Sequence, residues 1–181
     1  MTQTAADALG LAPSQVRFEL GDTEMPETSV SGGSQTVAST GCAVSVEVHV
    51  DPDLGEVRVT RVGGVYGVGN ILNAKTARSQ LIGGIVFGAG MALLEETVAD
   101  TRTGRVMNPD LAEYHVPVNA DIPDIDITFV PETDPHVNPL GIKGISEIGI
   151  TGTVAAVTNT VYHAASKRVR DLPITLDKVM A

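Results

Sequence analysis

The sequence predicts a mixed α+β domain, β-hairpins packed with two long buried helices. Three observations carry this prediction. Val44, Val46, Val48 and Val50 alternate with Ser45, Glu47 and His49, and Val57, Val59 and Val62 resume the alternation after the turn Asp51-Pro52-Asp53-Leu54-Gly55. Residues 75–96 and 150–165 are apolar over helical lengths. Glycine- and proline-rich stretches punctuate the chain, with no repeat or low-complexity tract.

In chain order, residues 2–11 form a short helix candidate stopped by Pro13. Residues 15–20 alternate as a half-buried strand, and Gly21-Asp22 ends it. Residues 23–40 read as an irregular loop. Its segment Ser31-Gly32-Gly33-Ser34-Gln35-Thr36-Val37-Ala38-Ser39 is either a flexible linker or a ligand-approaching loop, because glycine amides and hydroxyls can cradle an anion. The hairpin 43–62 follows, with His49 on its solvated face. Residues 63–73 are glycine-rich and lead into the helix 75–96. Leu81, Ile82, Ile85, Val86, Phe87 and Met91 cover more than one face of that helix, so it is expected to be enclosed. Gly83, Gly84, Gly88 and Gly90 each cost up to about 1 kcal/mol in a helix interior. Close approach of another backbone or a ligand would offset this. Gln80 needs a hydrogen-bond partner if it is buried.

Residues 98–106 suggest a second hairpin around Asp100-Thr101-Arg102-Thr103-Gly104. Glu113 and His115 would share one face of a strand, as a surface ion pair rather than a catalytic couple. Residues 125–130 form a strand with Asp126 and Thr128 on its polar side. Lys167, Arg168 and Arg170 close the last helix, where cations suit the dipole. Residues 172–181 read as a final docked segment.

The 181-residue chain carries a formal net charge of −10. That opposes non-specific nucleic-acid binding and docking on anionic membranes. A single Cys42 excludes an intrachain disulfide and any metal site built on several thiolates. Residues 1–12 lack a basic start and an apolar run, so a cytoplasmic location is expected. The longest apolar stretch, 81–94, falls short of the roughly 18–20 residues that span a bilayer.

The chain has no nucleophile elbow, P-loop or HExxH helix. Gly63-Gly64-Val65-Tyr66-Gly67-Val68-Gly69 follows a strand and precedes a helix, but it lacks the GxGxxG spacing and no βαβ unit is expected around it. The densest chemistry lies in Asn138-Pro139-Leu140-Gly141-Ile142-Lys143-Gly144-Ile145-Ser146-Glu147-Ile148-Gly149. Glu147 stands at the mouth of the second apolar helix. Desolvation would raise its pKa, and helix amides or Lys143 would lower it. Either makes a general base, a role worth about 10²- to 10⁴-fold. The alternative is a helix cap.

Gly141-Ile142-Lys143-Gly144-Ile145-Ser146-Glu147 resembles the C-terminal glutamate motif of the large, molybdenum-binding subunit of the xanthine dehydrogenase/aldehyde oxidoreductase family. Leu72-Asn73, Arg78-Ser79-Gln80-Leu81-Ile82-Gly83-Gly84, Leu111-Ala112-Glu113-Tyr114-His115-Val116-Pro117 and Arg168-Val169-Arg170-Asp171-Leu172-Pro173-Ile174 are similar to further family segments. The resemblance implies oxidative hydroxylation of an aldehyde or N-heterocycle with water-derived oxygen. Glu147 would take the proton from a molybdenum hydroxyl, and hydride would pass to a sulfido ligand. It also implies that Gln80 contacts a molybdenum–pterin cofactor, in the cytosine dinucleotide form. Thr36, Val37, Ala38 and Ser39 would lie beside the metal and pterin, and Cys and His would supply no metal ligand. Iron–sulfur and FAD subunits would be partners, and a partner's signal would open a route to the periplasm.

Two departures stand out. Ser146 occupies a position where the family usually has glycine. The family also places a long stretch between the loop ending near Val44 and the strand beginning near Ser45, which here adjoin. The chain therefore reads as a C-terminal portion with an internal deletion: residues 1–44 a partial cofactor loop, 45–181 a portion of the C-terminal molybdopterin-binding domain. Such a chain is expected to be inactive alone and to need the remainder of the subunit. The alternative is a non-catalytic remnant or assembly module that binds no molybdenum.

Overall fold

The computed structural model describes residues 12–15, 43–133, 138–145 and 147–180. The helix expected at 2–11, the strand residues 16–20, Thr36, Val37, Ala38, Ser39 and Cys42 lie outside them. Gln15, expected to open a strand, instead closes the 3₁₀ turn Pro13–Gln15, where its Oε1 accepts from the Ala12 amide at 3.0 Å.

The hairpin forms as the alternation requires. Strands β1 (Ala43–Asp51) and β2 (Glu56–Tyr66) pair antiparallel. Asp51 Oδ1 accepts from the Asp53 and Leu54 amides at 3.0 and 3.1 Å, and Gly55 takes φ +70°. A bulge shifts the register: Val48 faces Val59, but Glu47 faces Arg61. The extra residue, Thr60, donates its hydroxyl to Glu47 O and Oε1. The bulge changes the phase of the pleat, so Val57 and Val59 turn inward before it and Val62, Gly64 and Tyr66 after it.

Helix α1 (Ala74–Leu93) starts at Asn73, whose Oδ1 accepts from the Lys75 and Thr76 amides at 3.0 and 3.2 Å. The second hairpin reduces to two short strands, β3 (Ala99–Asp100) and β4 (Arg105–Val106). Strand β5 (Asp124–Phe129) then pairs parallel with β2, giving the sheet order β1-β2-β5. A β2–α1–β5 unit therefore does surround the 63–69 stretch, contrary to expectation. The Asn73 side chain already occupies the Lys75 and Thr76 amides, two of those a phosphate would use at this helix N-terminus.

The apolar segment expected as one helix divides into α2 (Ile148–Thr151) and α3 (Thr153–Ala165), parted at Gly152. Ser166 ends α3 in the left-handed region at φ 57°. The cations follow α3 rather than filling its last turn. Arg168 folds back, stacking 3.8 Å above the Tyr162 ring and donating to Asn159 Oδ1. Helix α4 (Leu176–Met180) docks the end of the chain: Val179 is buried in the core, and Leu176 and Met180 lie against Gly55 of the β1–β2 turn.

One face of the sheet packs on α1 and α3 around Val62, Tyr66, Leu81, Ile85, Val157 and Val161. Three of the α1 glycines, Gly84, Gly88 and Gly90, meet a close approach, Gly90 against Glu95 and Pro117. A Cβ on Gly84 would stand 2.9 Å from the Gly149 backbone, and one on Gly88 would stand 2.6 Å from Thr153 Cβ. Enclosure of α1 does not hold among the described residues: Phe87 is 62% and Met91 43% exposed. Helix α3 is likewise one-sided, burying Thr153, Val157 and Val161 and exposing Ala155, Asn159 and His163.

Candidate functional site

The turn of the 138–149 motif is built by one side chain. Asn138 Oδ1 accepts from the Leu140 and Ile142 amides, and its Nδ2 donates to Ile142 O at 2.7 Å. Gly141 takes φ +64°. This turn docks on the β2–α1 connection: the Asn70 amide donates to Gly141 O at 2.8 Å, and Gly69 bridges Ile142. Gly69 itself lies at φ +67°, and a Cβ there would be 2.4 Å from Gly141 O.

Lys143 directs its ammonium to Glu132 Oε1 at 2.5 Å, with side chains only 10% and 29% exposed. Glu132 Oε2 accepts from the Gly69 amide at 3.0 Å. One carboxylate thus ties together the segment after β5, the β2–α1 connection and the motif.

Glu147 occupies the N-cap position of α2, but its side chain makes no capping hydrogen bond, so the cap alternative fails. Its carboxylate is exposed, while its carbonyl accepts from the Ile150 amide and the Thr151 hydroxyl. Just beyond it, Gly149 lies against α1, where a Cβ would come 2.6 Å from Leu81 O. Gln80, adjacent to Leu81, is exposed rather than buried. The structure thus brings Gln80 and Glu147 to the same end of the α1–α2 crossing. A groove of about 290 Å³ opens beside Gln80, lined also by Asn73, Thr76, Ile142, Lys143 and Ile145 but not by Glu147.

Glu113 and His115 are not on a strand. The Glu113 and Tyr114 amides donate to Asp110 O in a turn, and no ion pair joins Glu113 to His115 among the described residues. The inward member is Tyr114, whose hydroxyl donates to Glu95 Oε2 at 3.0 Å. The Glu95 hydrogen bond, then desolvation, raises the Tyr114 pKa above its ordinary value. Sequence reading missed both this pair and Glu132. The nearest signal was the isolated cation in the glycine-rich motif, which needs an acid if it is buried.

Among the described residues, no group of three His, Cys, Asp or Glu side chains is placed to hold a metal ion. Gln80 and Gly83 share a helix face, and a Cβ on Gly83 or Gly144 would meet nothing within 4 Å. Gln80, exposed beside this open space, offers an amide that a polar cofactor edge could meet.

The family model described as the molybdopterin cofactor-binding domain matches residues 40–123. The aldehyde oxidoreductase molybdenum-binding subunit of Escherichia coli strain K12 is 51% identical over 135 residues, 75% of this chain and 18% of that protein. The chain belongs to the xanthine dehydrogenase/aldehyde oxidoreductase family of molybdenum-binding subunits. A second member of this family, the putative xanthine dehydrogenase molybdenum-binding subunit of the same strain, is 36% identical over 75% of this chain and 18% of its own length. The crystal structure of quinoline 2-oxidoreductase from Pseudomonas putida 86 superposes with a TM-score of 0.68 and 30% identity, covering 74% of this chain and 17% of that one. The chain thus spans about a fifth of the length of these family members. No described helix is long and apolar enough to cross a membrane.

Proposed function

We propose that the chain forms part of the molybdenum-binding subunit of a hydroxylase that oxidises an aldehyde, with Glu147 as its general base. The observation that carries this reading is the Glu147 carboxylate, exposed and uncapped at the α1–α2 crossing that also presents Gln80. When bound, the molybdenum–pterin group supplies the centre that accepts two electrons from the substrate carbon. The Glu147 carboxylate takes the proton from the attacking, water-derived oxygen. The Gln80 amide holds the pterin edge, and Thr36, Val37, Ala38 and Ser39 complete the cofactor loop. The aldehyde class is supported by the 51% identity to an aldehyde oxidoreductase subunit. The cytosine dinucleotide form of the cofactor, iron–sulfur and FAD partner subunits, and the remainder of the molybdenum subunit belong to the same proposal.

Glu147→Gln in the assembled enzyme tests it. Turnover should fall by about 10²- to 10⁴-fold with molybdenum content unchanged. Unchanged turnover would remove Glu147 from the chemistry. Failure of every partner to bring molybdenum to the chain would leave a non-catalytic assembly module.

A further inference from the structure

We infer that Glu132 and Lys143 are the positioning pair that holds Glu147 in place, an inference that rests on the base assignment above. Glu147 sits on a short segment fixed at two points. Downstream, Gly149 packs against Leu81 and Gly84 with no room for a Cβ. Upstream, the anchor is Lys143, and the segment between the anchors includes Gly144, whose Cβ position is open. A glycine with free space around it does not hold a loop by packing. Ile145, between Gly144 and the base, packs against the core, and upstream of Gly144 the restraint is polar.

Lys143 supplies that restraint. Its side chain is 10% exposed and meets Glu132 Oε1, while Glu132 Oε2 receives the Gly69 amide. The carboxylate uses both oxygens to join two loops. Hydrogen bonds to a charged, mostly desolvated acceptor are the strong ones. The surrounding contacts share the purpose: Gly69 pairs with Ile142, and Asn70 bonds Gly141 O and Leu140 O. Lys143 also lines the groove that Gln80 lines. One ion pair thus sets the loop carrying the base relative to the helix carrying the amide. The remaining described ion pairs, Arg58–Glu56 and Arg61–Asp126, have side chains at least half exposed. Such pairs fix little.

The test uses the enzyme that contains this chain, with Lys143→Met, Glu132→Gln, Lys143→Arg and, as a surface control, Arg58→Gln. Lys143→Met should raise amide exchange over residues 69–70 and 141–145 at least about tenfold, since it frees a restrained loop. It should lower kcat by up to about 100-fold, the cost of roughly 1 Å of misplacement, with KM and molybdenum content retained. Glu132→Gln, which keeps an acceptor for the Gly69 amide, should do the same more weakly. Lys143→Arg should restore most of kcat, and Arg58→Gln should change nothing. Wild-type exchange in Lys143→Met overturns the inference. So does retained kcat in Lys143→Met when Glu147→Gln abolishes turnover, and that result leaves the base assignment standing. Retained turnover in Glu147→Gln instead removes the base assignment and this inference with it, while its exchange pattern should match wild type.

Discussion

At Gly69 the backbone and the neighbouring loop impose the same requirement. The residue lies at φ +67°, a region that costs an L-residue about 1–2 kcal/mol, and a Cβ would stand 2.4 Å from Gly141 O. Gly69→Ala should therefore destabilise the fold by more than about 2 kcal/mol and disturb the motif loop, read as a lower midpoint in urea unfolding. Tyr114 offers a second residue-scale test. Its pKa is raised, chiefly by the hydrogen bond to Glu95 and then by desolvation, so folding favours the neutral phenol. A group with a raised folded pKa stabilises fully below its unfolded value, near 10 for tyrosine, and loses that contribution as pH rises through the folded value. Melting temperatures of the wild type and Tyr114→Phe should differ most below pH 10 and converge above it. The signal for Tyr114 was weak in the sequence, because Glu113 and His115 flank it and draw attention by charge. Only the turn onto Asp110 O decides which of the three side chains points inward.

At the scale of elements, the glycines of α1 divide by what they face. Gly84 meets the Gly149 backbone and Gly88 meets Thr153, so the crossing depends on both. Gly83 faces open space. Gly84→Ala should destabilise by about 1–3 kcal/mol through overpacking. Gly83→Ala should stabilise by up to about 1 kcal/mol, because it relieves the helix penalty without a clash. Thermal unfolding of the two variants should thus shift in opposite directions. That glycines here meant close packing was legible from their cost alone, but which of them packed was not. The β1–β2 hairpin was legible but its bulge was not: Val57, Val59 and Val62 read as one alternation, although the step from Val59 to Val62 breaks a two-residue period. The parallel pairing of β5 with β2 was not legible either, because more than fifty residues of α1, hairpin and loop separate the strands, and local pattern carries no trace of such a pairing. The split at Gly152 escaped for a related reason. Its neighbours are apolar or small on both sides, and the period runs through the break.

At the scale of the whole molecule, two opposing properties set its behaviour as an isolated chain. Phe87 is 62%, Met107 55%, Leu111 79% and Val118 59% exposed, more large apolar surface than a self-sufficient domain usually leaves in water. Helix α1 has the apolar pattern of an enclosed helix, yet one side of it, with Phe87 and Met91, is open to water. Against association stands the net charge of −10, whose repulsion acts over a Debye length of about 10 Å at 0.1 M salt and about 3 Å at 1 M. The isolated chain should therefore self-associate, and the association should strengthen with salt, as apolar contact outlasts the screened repulsion. Sedimentation velocity across a salt series measures this directly. Phe87→Glu combined with Met91→Glu should shift the population towards monomer at every salt concentration, with little change in melting temperature, because both side chains are exposed in the fold. A chain that stays monomeric at 1 M salt would show that its exposed apolar residues do not act together as one surface.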